Sequence, residues 1–156
     1  MKNDYPLPAL LSTPEGSKQF AQRVAQLTAT SQRLWGSMEV HQMLAHCLIP
    51  LELALGIRQV KVNPLLALLG PITRPMFINP KPFRRNMPTD PGLIVRKHPD
   101  FEEKRLRLLQ HIQQLEREGA AAYSTAPHPL FGRLSPEQWD VLQTKHLDHH
   151  LRQFGV

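Results

Sequence analysis

SPEQWDVLQTKHLDHHLRQFG, residues 135–155, spells out a helix from cap to stop. Ser135 is an N-cap residue. Pro136 suits the first helical position, where its missing N–H costs no bond, and Gln138 stands where a capping box needs an amide. Trp139, Leu142, His146, His150 and Gln153 or Phe154 follow the helical repeat, and Gly155 is the stop. Residues four apart on a helix lie one turn along the axis and about 40° around it, so His146 and His150 project from one face. Two imidazoles so placed can reach a single ion, which makes them candidate metal ligands. His149 turns about 60° aside, either to support a ligand or to face solvent.

Working outward, three more segments carry helical spacing. Ser12-Thr13-Pro14-Glu15 starts the first, with Phe20, Val24, Leu27 and Leu34 on one stripe and Gly36 as its expected end. The second is expected from about Ser37, as N-cap, to Leu55, with Gly56 as the stop. Val40, Met43, Leu44, Cys47, Leu48, Leu51 and Leu55 give it a wide apolar face, and Pro50 predicts a kink near Ala45–His46. The third begins at Asp100, with Glu103 placed as in a capping box; Phe101, Leu108, Leu109, Ile112 and Leu115 form its face and Gly119 its end. No segment alternates as a strand does, so the expected fold is all-α, a four-helix bundle forming a single domain over residues 1–156.

Residues 57–98 interrupt this pattern with seven prolines. A short helix is expected over Asn63 to Leu69. The rest, PITRPMFINPKPFRRNMPTDPG, reads as an irregular crossing between the second and third of these helices, with residues 93–95 as an extended piece docking on the bundle. The stretch also holds the chain's charge. Eight Lys and Arg residues stand against Asp90 alone, in a protein of net charge +6. Such a surface attracts anions, but few aromatics are interleaved with it, so nucleic acid is set aside as a partner in favour of a solvated loop.

The 156 residues suffice to bury a core, and no apolar run is long enough to span a bilayer. The first residues, MKNDYPLPALL, place Asp4 and two prolines where an export signal needs an unbroken apolar stretch. Cys47 is the single cysteine, which suits a reducing, cytoplasmic setting; it is expected to be a buried apolar residue. Trp35 and Trp139 are expected to be packing residues.

A metal needs a third ligand from another element. His46 sits among Met43, Leu44, Cys47 and Leu48, where a neutral imidazole requires a partner. His41 is its rival on the same helix, about 140° around the axis, and His111 and His128 are further alternatives. There is no HExxH, so a metalloprotease gains no support.

Met43-Leu44-Ala45-His46, together with His146-Leu147-Asp148-His149-His150-Leu151-Arg152-Gln153, resembles the DinB/YfiT-like superfamily of metal-binding four-helix bundles. His128-Pro129-Leu130-Phe131-Gly132-Arg133-Leu134-Ser135-Pro136-Glu137-Gln138-Trp139 resembles the entry to the last helix in an uncharacterised bacterial branch of it. The likeness follows helix order over nearly the whole chain and departs from the pattern at the 57–98 insertion. It implies a three-histidine site of His46, His146 and His150 holding zinc, nickel or a similar divalent ion. It also implies an activity like that of the hydrolases and thiol transferases among its members.

Three neutral imidazoles leave a tetrahedral position open, as in a catalytic site; zinc there lowers the pKa of water or binds a thiolate. Glu39 and Gln42 are candidate proton acceptors on a face similar to that of His46, whereas Asp148 points away from the pair. The expected function is thus a divalent-metal-dependent hydrolase or thiol transferase with a small-molecule substrate, in a chain that pairs as a homodimer. The alternatives are a metal-binding bundle without catalysis and an anion- or nucleic-acid-binding module using the basic stretch.

Overall fold

The computed structural model describes residues 5–61, 64–87, 93–96 and 98–156. Among these are α1 (Pro14–Ala25), α2 (Val40–Ala54), α3 (Pro64–Ile78), α4 (Phe101–Glu118) and α5 (Pro136–Gln153), with a 3-10 turn over Gly119–Ala122 and no strand. The all-α expectation holds; the count of four does not, because the proline-rich crossing contains a full helix.

Local chemistry sets most helix ends. Thr13 caps α1 by accepting from the Gly16 N–H, Asp100 caps α4 by accepting from Glu103, and Ser135 and Gln138 close a reciprocal capping box on α5. Two expected boundaries are corrected. α1 stops at Ala25, not Gly36, because the hydroxyl-rich Thr28–Ser31 stretch bonds to itself: the Thr28 N–H donates to Ser31 Oγ and the Ser31 N–H to Thr28 O. Leu34, expected on the buried stripe, is exposed. α2 is capped by Glu39, not Ser37, and Gln42 Oε1 accepts the Glu39 N–H. α2 runs through Pro50, whose missing N–H leaves the His46 carbonyl without its helical donor.

Helices α1, α2, α4 and α5 pack around one core. It holds Phe20 and Val24 of α1, Met43, Leu44, Cys47, Leu48 and Leu51 of α2, Leu108, Ile112 and Leu115 of α4, and Trp139, Leu142, Leu147 and Leu151 of α5. α5 touches α1, α2 and α3, so its polar residues are buried as well as its apolar ones. Each therefore needs a partner. Asp140 accepts from Ser12 Oγ, the Ser12 N–H and the Tyr123 hydroxyl; Thr144 accepts from the Leu11 N–H; Asp148 pairs with Arg23 at 2.8 Å and Arg152 at 2.9 Å.

α3 continues through Pro71 and Pro75, where irregular chain was expected. The prolines are four apart, so both missing bonds fall on one stripe of the helix. Other donors serve nearby carbonyls: Thr73 Oγ1 donates to Leu69 O, Asn79 Nδ2 to Pro75 O, and Lys145 Nζ to Met76 O. Gly70 allows contact with the turn before α5, since a Cβ there would stand 1.7 Å from Leu130 O. Asn63, the expected start of the short helix, lies outside the described residues, as do Pro88, Asp90, Pro91 and Lys97 of the basic stretch. No described helix is long and apolar enough to cross a membrane.

Candidate metal centre

α2 and α5 face each other across the core, and their one-turn spacing brings three imidazoles together. A candidate ligand nitrogen of each of His46, His146 and His150 lies within 4.8 Å of the other two. His46 Nε2 and His146 Nε2 are 3.0 Å apart, and the His46 and His150 ring centroids 4.7 Å. His46 and His150 are buried; His146 keeps part of its surface accessible.

The outer nitrogens are held by oxygens. His46 Nδ1 is 2.9 Å from the carbonyl of Leu93, in the stretch expected to dock on the bundle. His150 Nδ1 is 2.9 Å from Gln153 Oε1, and Gln153 Nε2 donates to the carbonyl of Trp35. That last bond fixes the amide: its oxygen must face His150, so His150 Nδ1 must carry the hydrogen. In the same way the Leu93 carbonyl requires a hydrogen on His46 Nδ1. Both Nε2 atoms are left as lone-pair acceptors, that of His46 facing His146 Nε2, in the tautomer of a metal-ligating imidazole supported from behind. Gly36 makes room for this. It has φ +78°, and a Cβ on it would lie 2.5 Å from Gln153 Nε2.

Electrostatics favour the neutral rings. Burial lowers the pKa of His46, opposed by its bond to Leu93. His146 and His150 are pushed well below the ordinary value, first by burial and then by the neighbouring imidazoles. Three neutral donors converging in a buried pocket fit a divalent borderline metal such as zinc or nickel: the nitrogen chemistry suits, and ion binding would replace the crowded His46–His146 contact.

A cavity of about 330 Å³ adjoins the cluster, its wall including Trp35, Ser37, Met87, Leu93, His46, His149 and His150. Trp35 and Leu93 were missed as site residues. Their contribution is a backbone carbonyl each, which no side-chain pattern reveals. Trp35 is also not only a packing residue, since its ring lies under the Arg85 guanidinium at 4.1 Å. Trp139 and Cys47 are core residues as expected, and burial pushes the Cys47 thiol up.

The other candidates lie elsewhere. His111 is 3.5 Å from Glu52, and His128 Nδ1 accepts from the Leu130 and Phe131 N–H groups. His41 pairs with Glu39 and His98. Glu39 and Gln42, expected as proton acceptors near His46, are engaged at the α2 cap, and neither is on the cavity wall. Asp148 stays with its arginines, away from the cluster as expected.

Residues 11–155 match the family described as "Protein of unknown function (DUF1569)". The chain belongs to this family. No curated protein and no solved structure matches it. The matched span contains all three histidines, Gln153, Trp35 and Gly36, so the whole cluster and its supports fall inside the DUF1569 region.

Proposed function

We propose that this DUF1569 chain is a cytoplasmic divalent-metal protein of the DinB/YfiT-like kind. It binds zinc or nickel through His46, His146 and His150 and works as a hydrolase or thiol transferase on a small molecule. One observation carries the reading: two Nε2 lone pairs, each fixed by an oxygen behind its ring, converge with a third imidazole in a buried pocket. When bound, the ion would supply Lewis acidity toward water or a substrate thiol.

The chain's own residues do the rest. Leu93 and Gln153 orient ligands, Gly36 admits Gln153, and Trp35, Met87 and Leu93 give the adjoining cavity apolar walls that limit water. His149 is a further imidazole on that wall. Arg85 over Trp35 supplies positive charge beside the cavity for an anionic substrate. A homodimer formed through the outer face of α3 belongs to the same reading.

Metal analysis of protein purified without a His-tag tests the site. About one ion per chain is expected at these histidines, and its loss in His150→Ala; unchanged content in that variant would sink the assignment. A second reading, an ion that only staples α2 to α5, draws on the position of the cluster between those helices. Chelation separates the two. Little change in melting temperature supports an open functional site, and a large fall supports the staple. The third reading, an anion- or nucleic-acid-binding module using the basic 57–98 stretch, would require salt-sensitive nucleic-acid binding.

A further inference from the structure

We propose a second divalent-cation site, at the outer end of α2, built from Glu39, His41 and His98. Glu39 Oε2 lies 2.8 Å from His41 Nε2 and 3.2 Å from His98 Nδ1, and those two nitrogens are 2.8 Å apart. Three donor atoms from a carboxylate and two imidazoles thus form one small triangle.

Local backbone explains how they meet. Residues two apart on a helix do not share a face. Glu39, however, is the extended N-cap, with φ −82° and ψ 161°, and its N–H is bound by Gln42 Oε1. The carboxylate can therefore fold back over the first turn to His41. His98 comes from a different part of the chain, two residues before Asp100, the cap of α4.

The triangle is crowded for an ion-free surface. Only one hydrogen can lie between His41 Nε2 and His98 Nδ1, yet the same carboxylate oxygen approaches both nitrogens. A cation satisfies all three lone pairs at once. The nitrogen-nitrogen-oxygen donor set suits zinc, nickel or copper, with ligand distances of about 2.0–2.2 Å for zinc. At those distances an ion sits to one side of the triangle and keeps positions open to solvent. Glu39 and His98 are 48% and 70% exposed at their side chains, so entry is unobstructed.

The site shares no residue with the buried cluster. His41 and His46 are about 140° apart around α2. Occupancy would tie the start of α2 to the chain entering α4. The Leu93 carbonyl that holds His46 lies shortly before His98 in the same stretch.

The test is calorimetric titration of chelator-stripped, tag-free protein with Zn²⁺. Two equivalents are expected for the natural chain. His98→Ala should bind one, the second class weakened at least about tenfold. Glu39→Gln should weaken that same class, while His150→Ala should leave it intact. His98 is exposed, and Glu39→Gln keeps the N-cap backbone bond to Gln42 and a side-chain oxygen for the capping box, so folding is not at stake. Isotherms of His98→Ala and Glu39→Gln that match the natural chain would overturn the proposal. A single equivalent lost in His98→Ala but kept in His150→Ala would uphold this site and remove the buried one. The opposite pattern would do the reverse.

Discussion

Gln153 stands between His150 and the carbonyl of Trp35, and its two bonds do different work. The one to Trp35 orients the amide, and the one to His150 chooses the imidazole tautomer. Replacing it with leucine removes both while keeping an apolar body of similar size. Gln153→Leu is expected to weaken Zn²⁺ binding at the buried cluster by about 10–100-fold, with helix content by circular dichroism unchanged. An affinity equal to that of the natural chain would show that the tautomer is set by something else. At this scale the one-turn histidine pair was legible in the sequence, because helical spacing alone aligns it. The groups behind the rings were not, because the carbonyl of Leu93 at His46 and that of Trp35 at Gln153 are brought in by the fold.

α3 shows how an element can override its composition. Seven prolines in residues 57–98 argue against regular structure. The helix nonetheless runs through Pro71 and Pro75; Asn79 and Lys145 donate to carbonyls of its last turn, and Gly70 lets it close on Leu130. Its inner side holds Arg74 to Gln138 and Phe77 against Phe131. Its outer side exposes Leu68 (74%), Leu69 (51%), Ile72 (77%) and Met76 (47%). An apolar face of this kind marks an interaction surface, and a second copy could bury it by a two-fold without desolvating charge. Light scattering is expected to give a mass of two chains for the natural protein and one for Leu68→Glu/Ile72→Glu. A one-chain mass for the natural protein would remove the homodimer.

Across the whole molecule, buried neutral imidazoles make stability depend on pH. His128 shows it outside the three-histidine cluster. Its Nδ1 lone pair accepts two backbone N–H groups and its ring stacks on Phe131. Burial pushes it down to about 4. The unfolded imidazole titrates near 6.5, so below that pH the unfolded chain takes up the proton first. The resulting stability is fully present above about pH 6.5 and is lost as pH falls toward about 4. In chelator-stripped protein the urea midpoint should drop between about pH 7 and pH 5, and less steeply in His128→Ala. Equal slopes for the two proteins would contradict this account.

Caps and apolar spacing determined the helices that form the core, since both act within a turn or two of chain. Ser135, Pro136 and Gln138 start α5, Asp100 starts α4, and the α2 stripe from Val40 to Leu51 is buried as its spacing requires. The same local rules aligned His146 with His150 and set His46 in an apolar face. Only the tertiary structure decided what lies opposite. It brought His46 against His146, delivered the Leu93 and Trp35 carbonyls, and joined His98 to Glu39 and His41. It also packed α3 against the rest of the chain, through Lys145 Nζ at the Met76 carbonyl and the close approach of Gly70 to Leu130. Local spacing fixes which face a side chain takes; the group it meets there depends on how distant segments pack.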